Sequence, residues 1–324
     1  MLALASDGSY LYAGIDGATT GSIQRFTLPN LGTDINIPLG SNSFFGPYYA
    51  MDVKVAPGSP HTIAVVRSME GGLAIYDDAI ARPTSVPGFA MTSGKEIDSI
   101  QWSSDATHIY GEDNANTGFD FYVLSVNSSG VQVTNDYPGV FNTFNAKLHY
   151  DATTGYVYSD GGQAVNPDTG KTIGTYADAS GVMCSSTQHQ YGGVGCVMVP
   201  DGTLNIAYFL GQTPSQQDTP NYTIEAFNLT NFTPISSITI SDVTGNPVKL
   251  IRWGANGLAF LTKKTLIPAG PNFYIQGSEV YIISGAFVTN PAIRKQGMPL
   301  MIPGMQAWAM PTRSSPGDAL GSDQ

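Results

Sequence analysis

The sequence predicts an all-β fold, a β-propeller of four-stranded antiparallel blades, on three observations. A strand-turn-strand phrase recurs six times, its spacing is nearly constant, and each copy is followed by one or two further apolar runs. The first copy, "LALASDGSYLYAG", is an apolar run, a Ser-Asp-Gly turn and a second apolar run, with Gly8 supplying the backbone freedom the turn needs.

The later copies are "VKVAPGSPHTIAVV", "IQWSSDATHIYG", "LHYDATTGYVYSD", "VMVPDGTLNIAYF" and "IRWGANGLAFL". The last apolar residue before each turn is Leu4, Val55, Trp102, Tyr150, Val199 and Trp253, and these recur 47 to 54 residues apart. Self-similarity at such a period is the signature of repeat architectures and settles the fold before any local assignment. Third runs follow in "SIQRFTL", "GLAIYDD", "FDFYVLSV", "YTIEAFNL" and "EVYIISG", with a weaker "QAVNPDTG" in the fourth unit. Fourth, more polar runs such as "DINIPL", "KTIGTY" and "PISSITI" complete a four-stranded blade. A sandwich or jelly roll would also show many short strands but not this regular period. Six units span residues 1–288, and the Pro-, Met- and Gly-rich stretch 289–324 matches no unit, so it reads as a linker or tail.

Composition sets limits on function. With 324 residues, 37 of them Gly and only 12% charged, the chain can bury a large core and turns often. A net charge of −11 argues against nucleic acid, whose phosphates demand basic patches, and favours cations or neutral ligands. No apolar stretch is long enough to span a membrane as a helix, and no charged segment precedes an apolar one at the start.

The opening phrase, with its "S-x-D-G-x-x-L-Y" pattern, and the "NPDTGKTIGTY" hairpin resemble the YncE-like, lactonase-type propellers of exported bacterial proteins, over roughly residues 2 to 288. The resemblance implies an extracytoplasmic location, a periplasmic or secreted parent protein, and a ring of six or seven blades. Six units starting within an inner strand fit either a six-bladed ring or a seven-bladed one lacking its first blade. Unpaired strand edges in the second case would favour a homodimer. Cys184 and Cys196, which flank "SSTQHQYGGVG", then read as a disulfide closing a hairpin loop. A nucleophile paired with His189 and a metal set of Cys184, His189 and Cys196 are the weaker alternatives.

A propeller generally places its ligand at the channel mouth where inner strands begin and the loops between second and third strands emerge. That mouth would collect Asp52, Asp98, Asn145 and Lys249 from the strand entries, and Asp16, Glu70, Glu112, Asp113 and Asp160 from the loops. A polar column, Lys54, Gln101, His149 and Arg252, precedes the packing residue in four units. Converging carboxylates either raise one another's pKa or bind a cation that relieves their repulsion. Asp52, Asp98 and Asn145 would suit calcium, and His149 would admit zinc or manganese.

Two functions follow. One is a propeller binding a small molecule or protein partner at an acidic mouth, with Lys147, Lys249, Arg252, Glu70, Asp113 and Asp160 as ligand contacts. The other is a metal-dependent hydrolase of the lactonase, arylesterase or phosphotriesterase type, with Asp52, Asp98 and His149 as catalytic groups and a divalent metal on Asp52, Asp98, Asn145 and His149. No G-x-S-x-G elbow, H-E-x-x-H pair or phosphate-binding glycine loop is present. Trp102 and Trp253, both in the packing column, read as core.

Overall fold

The computed structural model describes residues 1–17, 19–88, 96–176, 196–213, 221–265, 275–289 and 306–309. They form six four-stranded antiparallel sheets arranged in a ring, each sheet wound in sequence order from the channel outward. The inner strands are Leu2–Leu4, Ala50–Ala56, Ser99–Trp102, Leu148–Asp151, Val197–Asp201 and Asn246–Trp253. They head blades one to six.

The recurrent turn is built by its acidic residue. Asp7 Oδ1 accepts from the Ser9 amide and hydroxyl in blade one, and Asp105 Oδ1 accepts from the Thr107 amide and hydroxyl in blade three. Asp151 Oδ1 does the same for Thr153 and Thr154 amides in blade four. A side chain that bonds its own backbone two residues on makes the chain reverse, and Gly8, at φ +73°, occupies the left-handed position beside it. Further out, Gly130 at φ +133° lets blade two dock on blade three: a Cβ there would stand 1.9 Å from the Thr84 carbonyl oxygen.

The core lies in the joints between blades. Val53 packs against Tyr12 and Ile23 of blade one; Ile100 and Trp102 against Ala64 and Val66 of blade two; Leu148 against Tyr110 and Phe121 of blade three. Met198 lies against Tyr158 of blade four, and Leu250 against Tyr208 and Leu210 of blade five. Each inner strand thus turns one set of alternate residues toward the preceding blade and the other set toward the following one.

That alternation corrects the packing column. Leu4, Val55, Trp102 and Tyr150 share a face, but in blades five and six Met198 and Leu250, not Val199 and Trp253, look back at the preceding blade. The turns differ in length: Leu4 pairs with Leu11, Trp102 with Ile109 and Tyr150 with Val157, whereas Val199 pairs with Tyr208 and Trp253 with Gly257. A one-residue slip reverses the face of every side chain. Trp102 is buried, its Nε1 donating to the Lys54 carbonyl at 3.2 Å, while Trp253 is 53% exposed.

Trp253 and Ile251 face blade one across the joint that joins last blade to first, and Leu2 and Leu4 face back at them. All four are exposed, by 41 to 60%. The other five joints are packed.

Gln306–Ala309, within the stretch expected to match no blade, pairs antiparallel with residues 279–282 as the fourth strand of blade six. A boundary at residue 288 therefore leaves one blade strand outside the propeller; its short apolar run was obscured by the Pro-rich sequence around it. Cys196 is disulfide-bonded and buried in the joint between blades four and five; Cys184 and His189 lie outside the described residues.

The corrected register has a direct consequence for stability. Trp102→Ala should destabilise the fold by roughly 3–5 kcal/mol, because it leaves a cavity in a closed joint. Trp253→Ala should cost less than about 1 kcal/mol, as for an exposed side chain. Denaturant unfolding of the two variants side by side checks this, and equal losses would contradict the register.

Candidate functional site

The inner strand is the edge of each blade's sheet, so its channel-side amides have no partner within the sheet. Three are captured by side chains of the preceding blade. Asp52 Oδ2 accepts from the Ile100 amide at 3.0 Å, Ser99 Oγ from the Leu148 amide at 3.2 Å, and Asp160 Oδ1 from the Met198 amide at 2.8 Å. These contacts tie blade two to three, three to four and four to five.

They also commit the carboxylates expected to do chemistry. Asp52 Oδ1 accepts from the Val53 amide at 2.9 Å and lies 3.4 Å from Lys54 Nζ. Asp160 Oδ2 accepts from the Lys147 amide, and its Oδ1 also bonds His149 Nε2 at 2.8 Å. Asp98 Oδ2 accepts from the Asn114 and Ala115 amides. Asn145, exposed and at φ +59°, is a turn residue whose amide bonds the Asn114 carbonyl. The expected metal set of Asp52, Asp98, Asn145 and His149 is thus divided among separate backbone and side-chain partners. Among the described residues no three Asp, Glu, His or Cys side chains are arranged to hold a metal ion.

Of the expected ligand contacts, Arg252 turns away from the channel: its Nε pairs with Asp201 Oδ2 at 2.8 Å and its guanidinium lies over the Tyr208 ring of blade five. The register slip in blade six accounts for this. Glu70 sits on the rim in a short 3-10 turn, Met69–Gly71, accepting from Asn42 Nδ2 at 2.7 Å.

Counting from the residue that packs on the preceding blade, the inner strands present two rungs. The first reads Asp52, Ser99, Lys147, Val197 and Lys249 on blades two to six; the second reads Ala3, Lys54, Gln101, His149, Val199 and Ile251 on blades one to six. The polar half of the second rung is on blades two to four and the apolar half on blades five, six and one.

Lys249 is held below the usual lysine range, first by its enclosure in protein and then by Lys54, with Lys147 acting the same way and Asp52 and Asp160 opposing. Those groups belong to blades two and four, neither of which adjoins blade six, so they face Lys249 across the channel. Lys249 is nonetheless open to solvent, as a residue lining a water-filled channel is. Lys249 therefore stands opposite Lys54 and Lys147, with Asp52 and Asp160 among them, so ammonium and carboxylate groups share the mouth.

Acid does gather on one side, at blade three. Glu112 is fully buried, and neither of its carboxyl oxygens has a hydrogen-bond partner among the described residues. Burial first, then Asp160, pushes its carboxyl well above the usual range. Asp113, also fully buried, has Oδ2 without a partner among the described residues and is raised by burial and by Asp98. Glu96 is pushed up to about 7 by burial, with Asp98 and Asp113 adding to it. Sequence reasoning placed Glu112 and Asp113 on a mouth loop but had no signal for Glu96 or for the acceptor role of Ser99.

Comparison with known proteins supports the fold. No family model and no curated protein matches the chain. Among solved structures it is similar to a protein from Lactobacillus plantarum, at 12% identity and a TM-score of 0.57, over 89% of this chain and 81% of that one. It is also similar to the Dos1 propeller, at 11% identity and a TM-score of 0.54, over 88% of this chain and 67% of the other. A chain of the mitotic checkpoint complex matches at 9% identity and a TM-score of 0.55, over 87% and 75%. At these identities the likeness is one of architecture, and the protein is a six-bladed β-propeller. No helix among the described residues is long and apolar enough to cross a membrane.

A carboxyl whose folded pKa lies near 7, above its ordinary value of 4.5, disfavours the folded state once ionised, so its cost develops as pH rises between those two values. Glu96→Gln should therefore melt higher than the parent at pH 8 and at the same temperature at pH 4. Thermal unfolding at both pH values measures it; identical melting at pH 8 would show that Glu96 ionises freely.

Proposed function

We propose that this propeller binds a small ligand, or a projecting group of a partner, at the channel mouth where the inner strands begin. The observation that carries this reading is the polar side of the second rung, where Lys54, Gln101 and His149 stand half-buried on three consecutive blades. Binding sites fix a ligand with a few placed polar groups, and this rung supplies three of them at one height. Fold alone does not decide function, and here these side chains supply the chemistry.

A ligand held there should raise the melting temperature in proportion to its saturation. In a thermal-shift screen of small metabolites we expect a concentration-dependent shift that His149→Ala and Gln101→Ala abolish without lowering the unliganded melting temperature by more than a few degrees. Shifts that survive both substitutions would place the site elsewhere.

The hydrogen bond between His149 and Asp160 supports a second reading. A carboxylate fixes the tautomer and orientation of an imidazole and leaves its other nitrogen to meet a water, which a lactone, ester or phosphotriester hydrolase requires; the resemblance to lactonase-type propellers points the same way. A divalent ion, calcium, zinc or manganese, would supply polarisation of the scissile carbonyl or phosphoryl group. Hydrolysis of a lactone, aryl ester and phosphotriester panel that is lost with chelator and with His149→Ala would establish it. Absence of turnover on the whole panel with each metal added would leave the binding function.

A further inference from the structure

Resting on the reading of the mouth as a ligand site, we propose that its ligand is a small anion whose phosphate or carboxylate group is held on the channel axis between Lys54, Lys147 and Lys249. The three ammonium groups come from blades two, four and six, every second blade of the ring, so they approach the axis from three well-separated directions. An oxyanion with several acceptor oxygens suits such a tripod, and hydrogen bonds from ammonium to oxyanion are among the stronger ones.

Two carboxylates stand among these ammonium groups, Asp52 and Asp160, one fewer than the three lysines, and their oxygens are engaged by backbone amides that leave their charge in place. Asp52 and Asp160 each hold an amide of the following blade, and Asp160 also holds the Lys147 amide and His149. Lys54 leans on Asp52 at 3.4 Å, but Lys147 and Lys249 make no ion pair among the described residues. Glu112, fully buried in blade three, has its carboxyl pushed well above the usual range by that burial. Like charges held together repel, and an anion among them removes that repulsion, the mirror image of a cation among carboxylates.

The rest of the molecule selects for size. A net charge of −11 repels long polyanions, so a nucleic acid is disfavoured at the surface while a small anion can enter the channel. Lys249, enclosed by protein and crowded by Lys54 and Lys147, should gain most from an anion.

The test is isothermal titration of the full 324-residue chain at pH 7 and low salt, with pyrophosphate and citrate as separate probes. We expect saturable binding of at least one probe, weakened tenfold or more by Lys249→Met and by Lys147→Met. Lys171→Met, at an exposed lysine on the outer strand of blade four, should leave it unchanged. Tighter pyrophosphate identifies a phosphate ligand and tighter citrate a carboxylate one; either supports the tripod. Equal weakening by Lys171→Met would mean non-specific attraction and would overturn it. If both probes are silent while a neutral compound binds in a His149-dependent way, the anion is wrong and the mouth remains a site; if nothing of any charge binds, both readings fall.

Discussion

The structure depends on how the unpaired amides at the inner edge of each blade are satisfied. An inner strand has a partner on one side only, and an amide left buried without an acceptor costs about 1–3 kcal/mol. Asp52, Ser99 and Asp160 each reach from one blade to the inner strand of the next, so one hydrogen bond both satisfies an edge and sets the spacing of two blades. The apolar joints then close around that spacing, with Trp102, Leu148 and Met198 packed against the blade before them. Arg25 does comparable work farther out, pairing from blade one with Asp78 of blade two and with Asp34 of its own.

These acceptors also decide the chemistry of the mouth. Asp52 and Asp98, expected to do metal or acid-base work, and Asp160, expected to touch a ligand, all accept from backbone amides, through both oxygens of Asp52 and Asp160 and through Oδ2 of Asp98. Across the same mouth Lys249 meets Lys54 and Lys147 as well as Asp52 and Asp160, a gathering of lysines to which a net charge of −11 gives no clue. Local charge is set by which side chains are already engaged, and that depends on the joint geometry.

Much of the fold was legible in the repeat. The period placed six inner strands, the Asp-centred turns marked where each reversed, and the third and fourth runs matched strands of their blades. Legibility failed where turn length varied. Treating the last apolar residue before the turn as equivalent holds for Leu4, Trp102 and Tyr150, whose partners lie at one constant separation, and breaks for Val199 and Trp253, whose turns are longer and shorter. Arg252 was drawn toward the channel by the same slip. Ser99 and Glu96 were invisible for another reason: their roles arise from contacts with other segments, Leu148 in one case and Asp98 with Asp113 in the other, that no local pattern announces.

The joint between blades six and one differs in kind from the other five. Leu2, Leu4, Ile251 and Trp253 are already wet there, so separating those blades hydrates little new apolar surface, whereas parting any other pair hydrates a packed core. Changes in ring diameter will therefore concentrate at one place instead of being shared among six. By this reasoning, drawn from the described residues, the ring would widen as a split collar does, at a single gap, and not as a rigid pipe.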